Sequence, residues 1–144
     1  MGVPASDEDG YALPYDDPDI GDPEGLLRRI SAWFLVDDPK RAGPRLSSGA
    51  FSPASTPYYG MSVDREAPML ADGHEPVAMA REARFGLARL TAGGVRATGF
   101  MVGGTPQPDN PYHADVWWQA GQKNFPKKKQ KALLAQAEIL RMPR

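Results

Sequence analysis

Residues 112–118, with the sequence YHADVWW, alternate in polarity along the chain. Because successive side chains of a β-strand point to opposite sides of the sheet, this alternation predicts a strand with two different faces. One face would carry Tyr112, Ala114, Val116 and Trp118, and the other His113, Asp115 and Trp117. A strand is therefore predicted late in the chain, with polar groups on one side.

Shorter apolar runs predict further strands upstream. Residues 26–36 (LLRRISAWFLV) favour a strand by their β-branched and aromatic content. Its core candidates are Ile30, Trp33, Phe34 and Val36. Residues 60–63 predict a short strand, and residues 85–90 and 95–102 predict a hairpin, because the intervening Gly93-Gly94 is typical of tight turns.

Helical signals follow these strands. Residues 68–84 can hold a short helix, with Pro76 in its first turn. Pro126 suits the start of a C-terminal helix, and Leu133, Ala137 and Leu140 would form its apolar stripe. The predicted fold class is therefore α+β, with a small, mostly antiparallel sheet and a C-terminal amphipathic helix.

The net charge of −1 conceals an uneven distribution along the chain. Residues 1–27 hold eight acidic residues and no Lys or Arg, whereas residues 123–144 hold seven basic residues and one acidic residue, Glu138. The low aliphatic content of residues 1–25 predicts an acidic, flexible tail, followed by a single domain over residues 26–144. Alternatively, this acidic segment docks on the basic end of its own chain.

Composition excludes several classes of site. The chain has no Cys, which excludes disulfides, thiolate zinc sites and a cysteine nucleophile. Its apolar runs, such as residues 33–36, are too short to span a bilayer, and the start of the chain lacks the apolar region of a signal peptide. The expected location is the cytoplasm, away from membranes. No motif indicates a metal or a cofactor, and no glycine-rich phosphate loop is present.

Lysines cluster around the start of the predicted C-terminal helix, at Lys123, Lys127, Lys128, Lys129 and Lys131. Positive side chains there oppose the helix dipole, whose N-terminal end is already positive. We expect this segment to bind an acidic protein or a nucleic acid. The leading interpretation is a small cytoplasmic macromolecule-binding protein, such as a toxin–antitoxin or phage-conflict component.

A catalytic alternative begins with His113 and Asp115. Two residues apart on a strand, they share a face, and a carboxylate beside an imidazole can orient it as a general base. Arg28 (or Arg29) on the first strand, with Ser47 further on, resembles the arrangement of ADP-ribosyltransferase-like folds. That resemblance implies a nucleotide-directed transferase or hydrolase, but Glu138, the nearest candidate for a catalytic glutamate, falls in the predicted helix. The structural alternative is that His113 only forms local hydrogen bonds.

The catalytic alternative requires its candidate residues to lie close together. His113 should lie in a pocket with Arg28 or Arg45 and with Ser47 or Ser62. A third functional hypothesis comes from residues 130–134 (QKALL), which resemble the peptide by which bacterial proteins dock on the replication sliding clamp. That peptide binds extended, whereas these residues fall in a predicted helix.

Four short elements occur in a characteristic order. They are RLSSGAF at residues 45–51, MSV at 61–63, FGLA at 85–88 and PYHADV at 111–116. This order resembles a family of small bacterial proteins with R-x-S-S-x-A-F, S-V and H-A-x-V elements and a C-terminal basic helix. The resemblance covers residues 26–143 and implies one compact domain without an assigned activity. Trp117-Trp118 departs from the family pattern, in which Gly commonly follows the last element.

Overall fold

The computed structural model of the chain describes residues 6, 8, 10, 12–53, 60–79, 84–118 and 124–144. Its strands are β1 (Gly25–Ile30), β2 (Leu35–Asp37), β3 (Pro44–Leu46), β4 (Met61–Arg65), β5 (Gly86–Thr91), β6 (Met101–Gly104), β7 (His113–Trp117) and β8 (Glu138–Arg141). Its helices are α1 (Glu66–Ala71), α2 (Pro76–Met79), α3 (Ala92–Ala97) and α4 (Lys127–Gln136), with 3-10 turns at Ala32–Phe34 and Ser48–Ala50.

Six of these strands form one sheet in the order β6-β7-β4-β1-β5-β8. Every neighbouring pair in the sheet is antiparallel. Strands β2 and β3 form a separate antiparallel ribbon. The predicted α+β fold, with an antiparallel sheet and a C-terminal helix, is confirmed.

The main core lies on one face of the sheet. There, Leu26 and Ile30 of β1 and Val116 of β7 pack with Phe51 and with Leu133 of α4, all of them buried. A smaller cluster joins Leu27, Met69, Leu87 and Tyr112. Because Leu26 and Leu27 are consecutive on β1, the two clusters occupy opposite faces of the sheet.

The predicted hairpin around Gly93-Gly94 is wrong. These glycines lie in α3, and β5 and β6 are separated in the sheet by β1, β4 and β7. The side chain of Thr91 accepts a hydrogen bond from the backbone N–H of Gly94, which starts a helix in place of a turn. A Cβ on Gly93 would lie 2.9 Å from the Cβ of Asp22. At Gly93, the absence of a side chain therefore permits close packing.

The C-terminal helix is shorter than the sequence predicts. It ends at Gln136, and Ala137 is extended (φ −73°, ψ 136°). Residues 138–141 then form β8, the edge strand beside β5, so Glu138 and Leu140 belong to a strand. Leu140 packs against the smaller cluster rather than along an apolar stripe of α4. A pairing with residues some fifty positions earlier thus overrides the local helical pattern.

The first predicted strand also ends early. Residues 26–36 divide into β1, the 3-10 turn Ala32–Phe34 and β2, because the Ser31 side chain accepts a hydrogen bond from the backbone N–H of Trp33. Trp33 is 85% exposed, so its assignment to the core is wrong, whereas Ile30 is 1% exposed. The short helix predicted within residues 68–84, with Pro76 in its first turn, corresponds to α2. Helix α1 begins at Glu66, before that range, and residues 80–83 lie outside the described part.

Residues 15–20 of the predicted acidic tail contact the domain. Ile20 is 1% exposed within the main core, and Asp17 is 7% exposed. The division of the chain at residue 25 stays a prediction. Across the described ranges, no helix is both long enough and apolar enough to cross a membrane.

Candidate functional site

Three lysines of α4 share one side of the helix. At about 100° of rotation per residue, Lys127, Lys128 and Lys131 fall within an arc of about 100°. All three are exposed, whereas Leu133, on the opposite side of α4, is fully buried in the main core. Among the described residues, none of the three has an ion-pair partner. We call Lys127, Lys128 and Lys131 the lysine face.

The other two lysines of the predicted binding segment do not belong to this face. The ammonium group of Lys129 lies 5.2 Å from the ring centroid of Trp118, a cation–π distance. Trp118 in turn packs against Phe100, with 5.2 Å between ring centroids. Lys129 is thus part of the packing beneath α4. Lys123 lies outside the described residues.

The electrostatic setting of the lysine face is unfavourable. Residue Pro126 precedes α4, and no side chain caps the first turn of the helix. The unpaired N–H groups of that turn carry the positive end of the helix dipole. Lys127 and Lys131 are four positions apart and Lys128 and Lys131 three, spacings at which like charges repel. A negatively charged group placed here would relieve both effects.

The acidic segment near the start of the chain does not supply that group from its described residues. Asp16 and Asp22 bind the guanidinium of Arg96 at 3.0 and 2.7 Å. Glu24 binds Arg65 through two hydrogen bonds of 2.9 Å. In this part of the chain, the segment therefore pairs with arginines of the domain and not with the lysine face. Residues 1–5, 7, 9 and 11 fall outside the described ranges.

His113 and Asp115 are joined through Thr105. The Thr105 hydroxyl donates a 2.8 Å hydrogen bond to Asp115 Oδ2 and lies 2.8 Å from His113 Nδ1. The hydroxyl has only one proton, which it donates to Asp115. Its oxygen must therefore accept a hydrogen bond from His113, which places the ring N–H on Nδ1. The Thr105 carbonyl, 3.1 Å from Nδ1, is a second acceptor. In the neutral imidazole this leaves Nε2 as the basic nitrogen.

Burial raises the pKa of Asp115 above its ordinary value. The positive charge on protonated His113, the hydrogen bond from Thr105 and the charge of Arg28 act in the opposite direction. Removal from water is therefore the dominant influence on this carboxyl. The direct distance from His113 Nδ1 to Asp115 Oδ2 is 4.0 Å, so the pair is coupled mainly through the threonine.

The cleft beside His113 is small. It encloses about 60 Å³ and is lined by Tyr15, Asp17, Arg65, Gly104, Pro106, Pro111 and His113. Burial, and then the charge of Asp17, raise the pKa of Tyr15 to about 12, so its hydroxyl stays protonated at neutral pH. A cleft of this size holds about two water molecules. Its lining includes neither Arg28 nor Arg45, and neither Ser47 nor Ser62.

Arg28 lies on the other face of the sheet. Leu27 is paired with Asp64 and Asp64 with His113, so Arg28, the next residue on β1, points away from His113 and Asp115. Its guanidinium donates hydrogen bonds to the carbonyl oxygens of Ala50, Ser62 and Ser52, at 3.1, 2.9 and 3.3 Å. Burial, with a further contribution from the charge of Arg29, lowers the pKa of Arg28 to about 10.

Ser62 lies directly opposite Asp115 in the β4–β7 pair, whereas Ser47 and Arg45 have structural contacts elsewhere. The Ser47 hydroxyl accepts a 3.2 Å hydrogen bond from the backbone N–H of Gly49 and caps the 48–50 turn. Arg45 lies 3.7 Å from Asp38. The four candidate catalytic residues thus form two groups, His113 with Asp115 and Arg28 with Ser47, on opposite faces of the sheet. No group of three or more His, Asp and Glu side chains in the described ranges could hold a metal ion.

No family model, curated protein or solved structure matches the chain. The lysine face and the His113 group are the two candidate sites that the sequence indicates. Of these, the lysine face carries exposed charge without a partner in the described structure, whereas the His113 group is largely satisfied by hydrogen bonds within the fold.

The sequence does not indicate the role of Thr105, because only its position beside β7 brings it between His113 and Asp115. It also predicts a core position for Trp33, because Trp33 stands within an apolar run. Ser31, two positions earlier, was the available signal, since serine before a short turn often accepts the backbone N–H that starts it.

Proposed function

We propose that this protein binds an acidic segment of another protein through the lysine face of α4. The observation that carries the proposal is the cluster of three exposed lysines, which lacks an acidic partner within the described residues. Carboxylates from a partner would offset both the mutual repulsion of the lysines and the positive end of the helix dipole. A co-encoded acidic partner, as in a toxin–antitoxin pair, fits this chemistry.

An acidic protein fits this surface better than a nucleic acid. Lys127 and Lys131 are separated by about 6 Å along the helix axis, whereas proteins that hold a nucleic acid follow its phosphates over a longer path. At the far end of α4, Gln136 donates a hydrogen bond to Thr98, the residue that follows α3. Two carboxylates, Asp16 and Asp22, surround the single guanidinium of Arg96 on α3, so a nucleic acid that extended in that direction would meet negative charge. The net charge of −1 also disfavours a partner as densely charged as a nucleic acid.

The other two functions receive less support from the geometry. A transferase or hydrolase would need Arg28 near His113, and the sheet separates them. Docking on a sliding clamp through residues 130–134 would need accessible leucines. Leu133 is fully buried and Leu134 is partly buried against the core.

A charge-reversal variant tests the proposal. Lys127→Glu, Lys128→Glu and Lys131→Glu are combined, and binding of a labelled peptide of Glu-Glu-Gly repeats is measured by fluorescence anisotropy at low and moderate salt. We expect affinity to fall at least about tenfold and its salt dependence to flatten, because the attraction is electrostatic.

The matched control makes the same change in charge elsewhere. Arg29, Lys40 and Arg41 are exposed cations outside α4, and replacing all three with Glu should leave binding within about threefold of the wild type. Equal losses in both variants, or unchanged binding in the α4 variant, would contradict the proposal. Tighter binding of oligothymidylate than of the peptide at the same salt would show that the partner is a nucleic acid.

A further inference from the structure

Trp33 is the most exposed large apolar side chain in the described part of the chain. It is 85% exposed, compared with 51% for Leu70 and 44% for Leu13. Burial of a Trp side chain removes roughly 200 Å² of surface from solvent and is strongly favourable in free energy, so an exposed indole lacks that stabilisation. Tryptophan is also among the residues most enriched at the centres of protein interfaces.

The local backbone holds Trp33 outward. The Ser31 hydroxyl accepts the Trp33 N–H at 3.1 Å, and the Ser31 carbonyl accepts the Phe34 N–H at 3.1 Å. Successive residues of a 3-10 turn are about 120° apart around its axis. Phe34 faces inward, with ring carbons 3.9 Å from the position of a Cβ on Gly49. When Phe34 points into the protein, Trp33 must point away from it, so its exposure follows from the capped turn.

One short turn links the element that carries Trp33 to the helix that carries the lysine face. The 48–50 turn contacts both α4 and the 32–34 turn. The backbone N–H of Ser47 donates a 2.7 Å hydrogen bond to the Phe34 carbonyl, which fixes the two turns together. Ala50 and Leu133 share the main core, which fixes the 48–50 turn to α4. The positions of Trp33 and α4 are therefore fixed relative to each other through the 48–50 turn.

We infer that Trp33 is the apolar anchor of the surface whose charged part is the lysine face, and that the partner is an acidic protein segment carrying apolar side chains. This inference rests on the proposed function. Charge complementarity with the lysines brings the segment to α4, and its apolar side chains cover the indole. The lysines govern the electrostatic attraction, and the burial of Trp33 governs how long the complex lasts.

Two peptides of equal length and equal charge separate these contributions. One consists of Glu-Glu-Leu repeats and the other of Glu-Glu-Gly repeats. The wild-type protein should bind the leucine peptide about tenfold more tightly than the glycine peptide, because only leucine offers apolar surface to Trp33. The Trp33→Ala variant should bind both with the affinity of the glycine peptide. Leu70→Ala, which removes another exposed apolar side chain on α1, is the matched control and should behave as the wild type.

These measurements test the role of Trp33 separately from binding through the lysine face. If Trp33→Ala keeps the preference for leucine, the inference is wrong, whereas the lysine face can still bind the glycine peptide. If the triple Lys→Glu variant binds both peptides as the wild type does, the proposed function is wrong.

Indole fluorescence gives a second readout. Trp117 is 2% exposed and Trp118 is partly buried, so the red-shifted emission comes from Trp33. We expect a blue shift when the leucine peptide binds and none in Trp33→Ala. An unchanged spectrum at saturating leucine peptide would overturn the inference. So would tighter binding of oligothymidylate than of either peptide, because Trp33 would then stack on bases.

Discussion

The Tyr15 hydroxyl donates a 2.5 Å hydrogen bond to the carbonyl oxygen of Gly104 on the edge strand β6. The residues that follow Tyr15 complete the contact. The backbone N–H of Asp17 donates to the Val102 carbonyl at 2.9 Å, and the Asp16 carboxylate accepts the Val102 N–H at 3.1 Å. These contacts satisfy the backbone groups on the outer side of β6, which an exposed edge would offer to another chain. Acidic side chains near the start of the chain therefore protect the sheet.

Gly103 allows Tyr15 to close over β6. A Cβ on Gly103 would lie 2.5 Å from Tyr15 Cε1, so Gly103→Ala should push the ring away and lower the free energy of unfolding by about 1–3 kcal/mol. Urea titration followed by circular dichroism measures this change. Gly21→Ala is the control, because the nearest atom to its Cβ would be Pro23 Cδ at 3.7 Å, an ordinary contact. Equal stability of the two variants would contradict the proposed closure.

Asp16 and Asp17 should control hydrogen exchange at the edge of β6. Replacing both with Ala removes the acceptors at the Val102 and Gly104 N–H groups, which lie 3.1 and 3.4 Å from the carboxylates. We expect faster amide exchange at Val102 and Gly104, measured by NMR, and little change at Val116 in the interior of the sheet. Asp19→Ala is the control, because Asp19 contributes its backbone N–H rather than its carboxylate to this region. Unchanged protection at Val102 would exclude the carboxylates as its source.

Local sequence patterns correctly predict several elements of the fold. The alternation of residues 112–118 predicts β7, and Pro126 marks the start of α4. The misassigned regions depend on contacts that are distant in sequence. Residues 138–141 form β8 because β5 offers them an edge. Glu24 binds Arg65, and Asp16 and Asp22 bind Arg96, whereas the distribution of charge along the sequence favours the C-terminal lysines as partners of the acidic residues.

The two candidate sites could likewise be predicted only in part from the sequence. Helical periodicity is enough to place Lys127, Lys128 and Lys131 on one side of α4 once the start of the helix is known. Sequence spacing also placed His113 and Asp115 on one face of β7, and their contacts with Thr105 agree with this. Arg28 does not lie near His113 and Asp115, and the reason is the alternation of faces along a strand. A shift of one residue in a strand reverses the face, and only the register of β1 against β4 shows which face Arg28 occupies.

Arg28 should be one of the most sensitive residues for stability. Arg28→Met keeps much of the apolar volume but leaves the carbonyls of Ala50, Ser52 and Ser62 without their donors. We expect a loss of about 3–5 kcal/mol in the free energy of unfolding, from urea titration. Arg29→Met, at an exposed position on the other face of β1, should cost less than about 0.5 kcal/mol. Comparable losses at the two positions would show that the three hydrogen bonds do not stabilise the fold.

Asp115 should make the stability depend on pH in the acidic range. Burial raises its folded-state pKa above the ordinary value of 3.8. Well above the folded-state pKa, the carboxyl is ionised in both states and its burial opposes folding. As the pH falls through that pKa towards 3.8, the folded protein binds a proton that the unfolded chain does not yet hold, so folding is favoured. Asp115→Asn, which keeps an oxygen to accept from Thr105, should therefore be more stabilising at neutral pH than near pH 4.

Thr105→Val should shift the pH dependence of stability that Asp115 produces. The Thr105 hydrogen bond lowers the pKa of Asp115 by favouring its ionised form, so its loss should raise this pKa further. The stability that Asp115 contributes when protonated would then persist to higher pH in Thr105→Val than in the wild type. Urea titrations of the three proteins across this range give the comparison. A constant difference between Asp115→Asn and the wild type at every pH would show that the Asp115 pKa is the same in the folded and unfolded states. The burial of this carboxyl would then have no net effect on its ionisation.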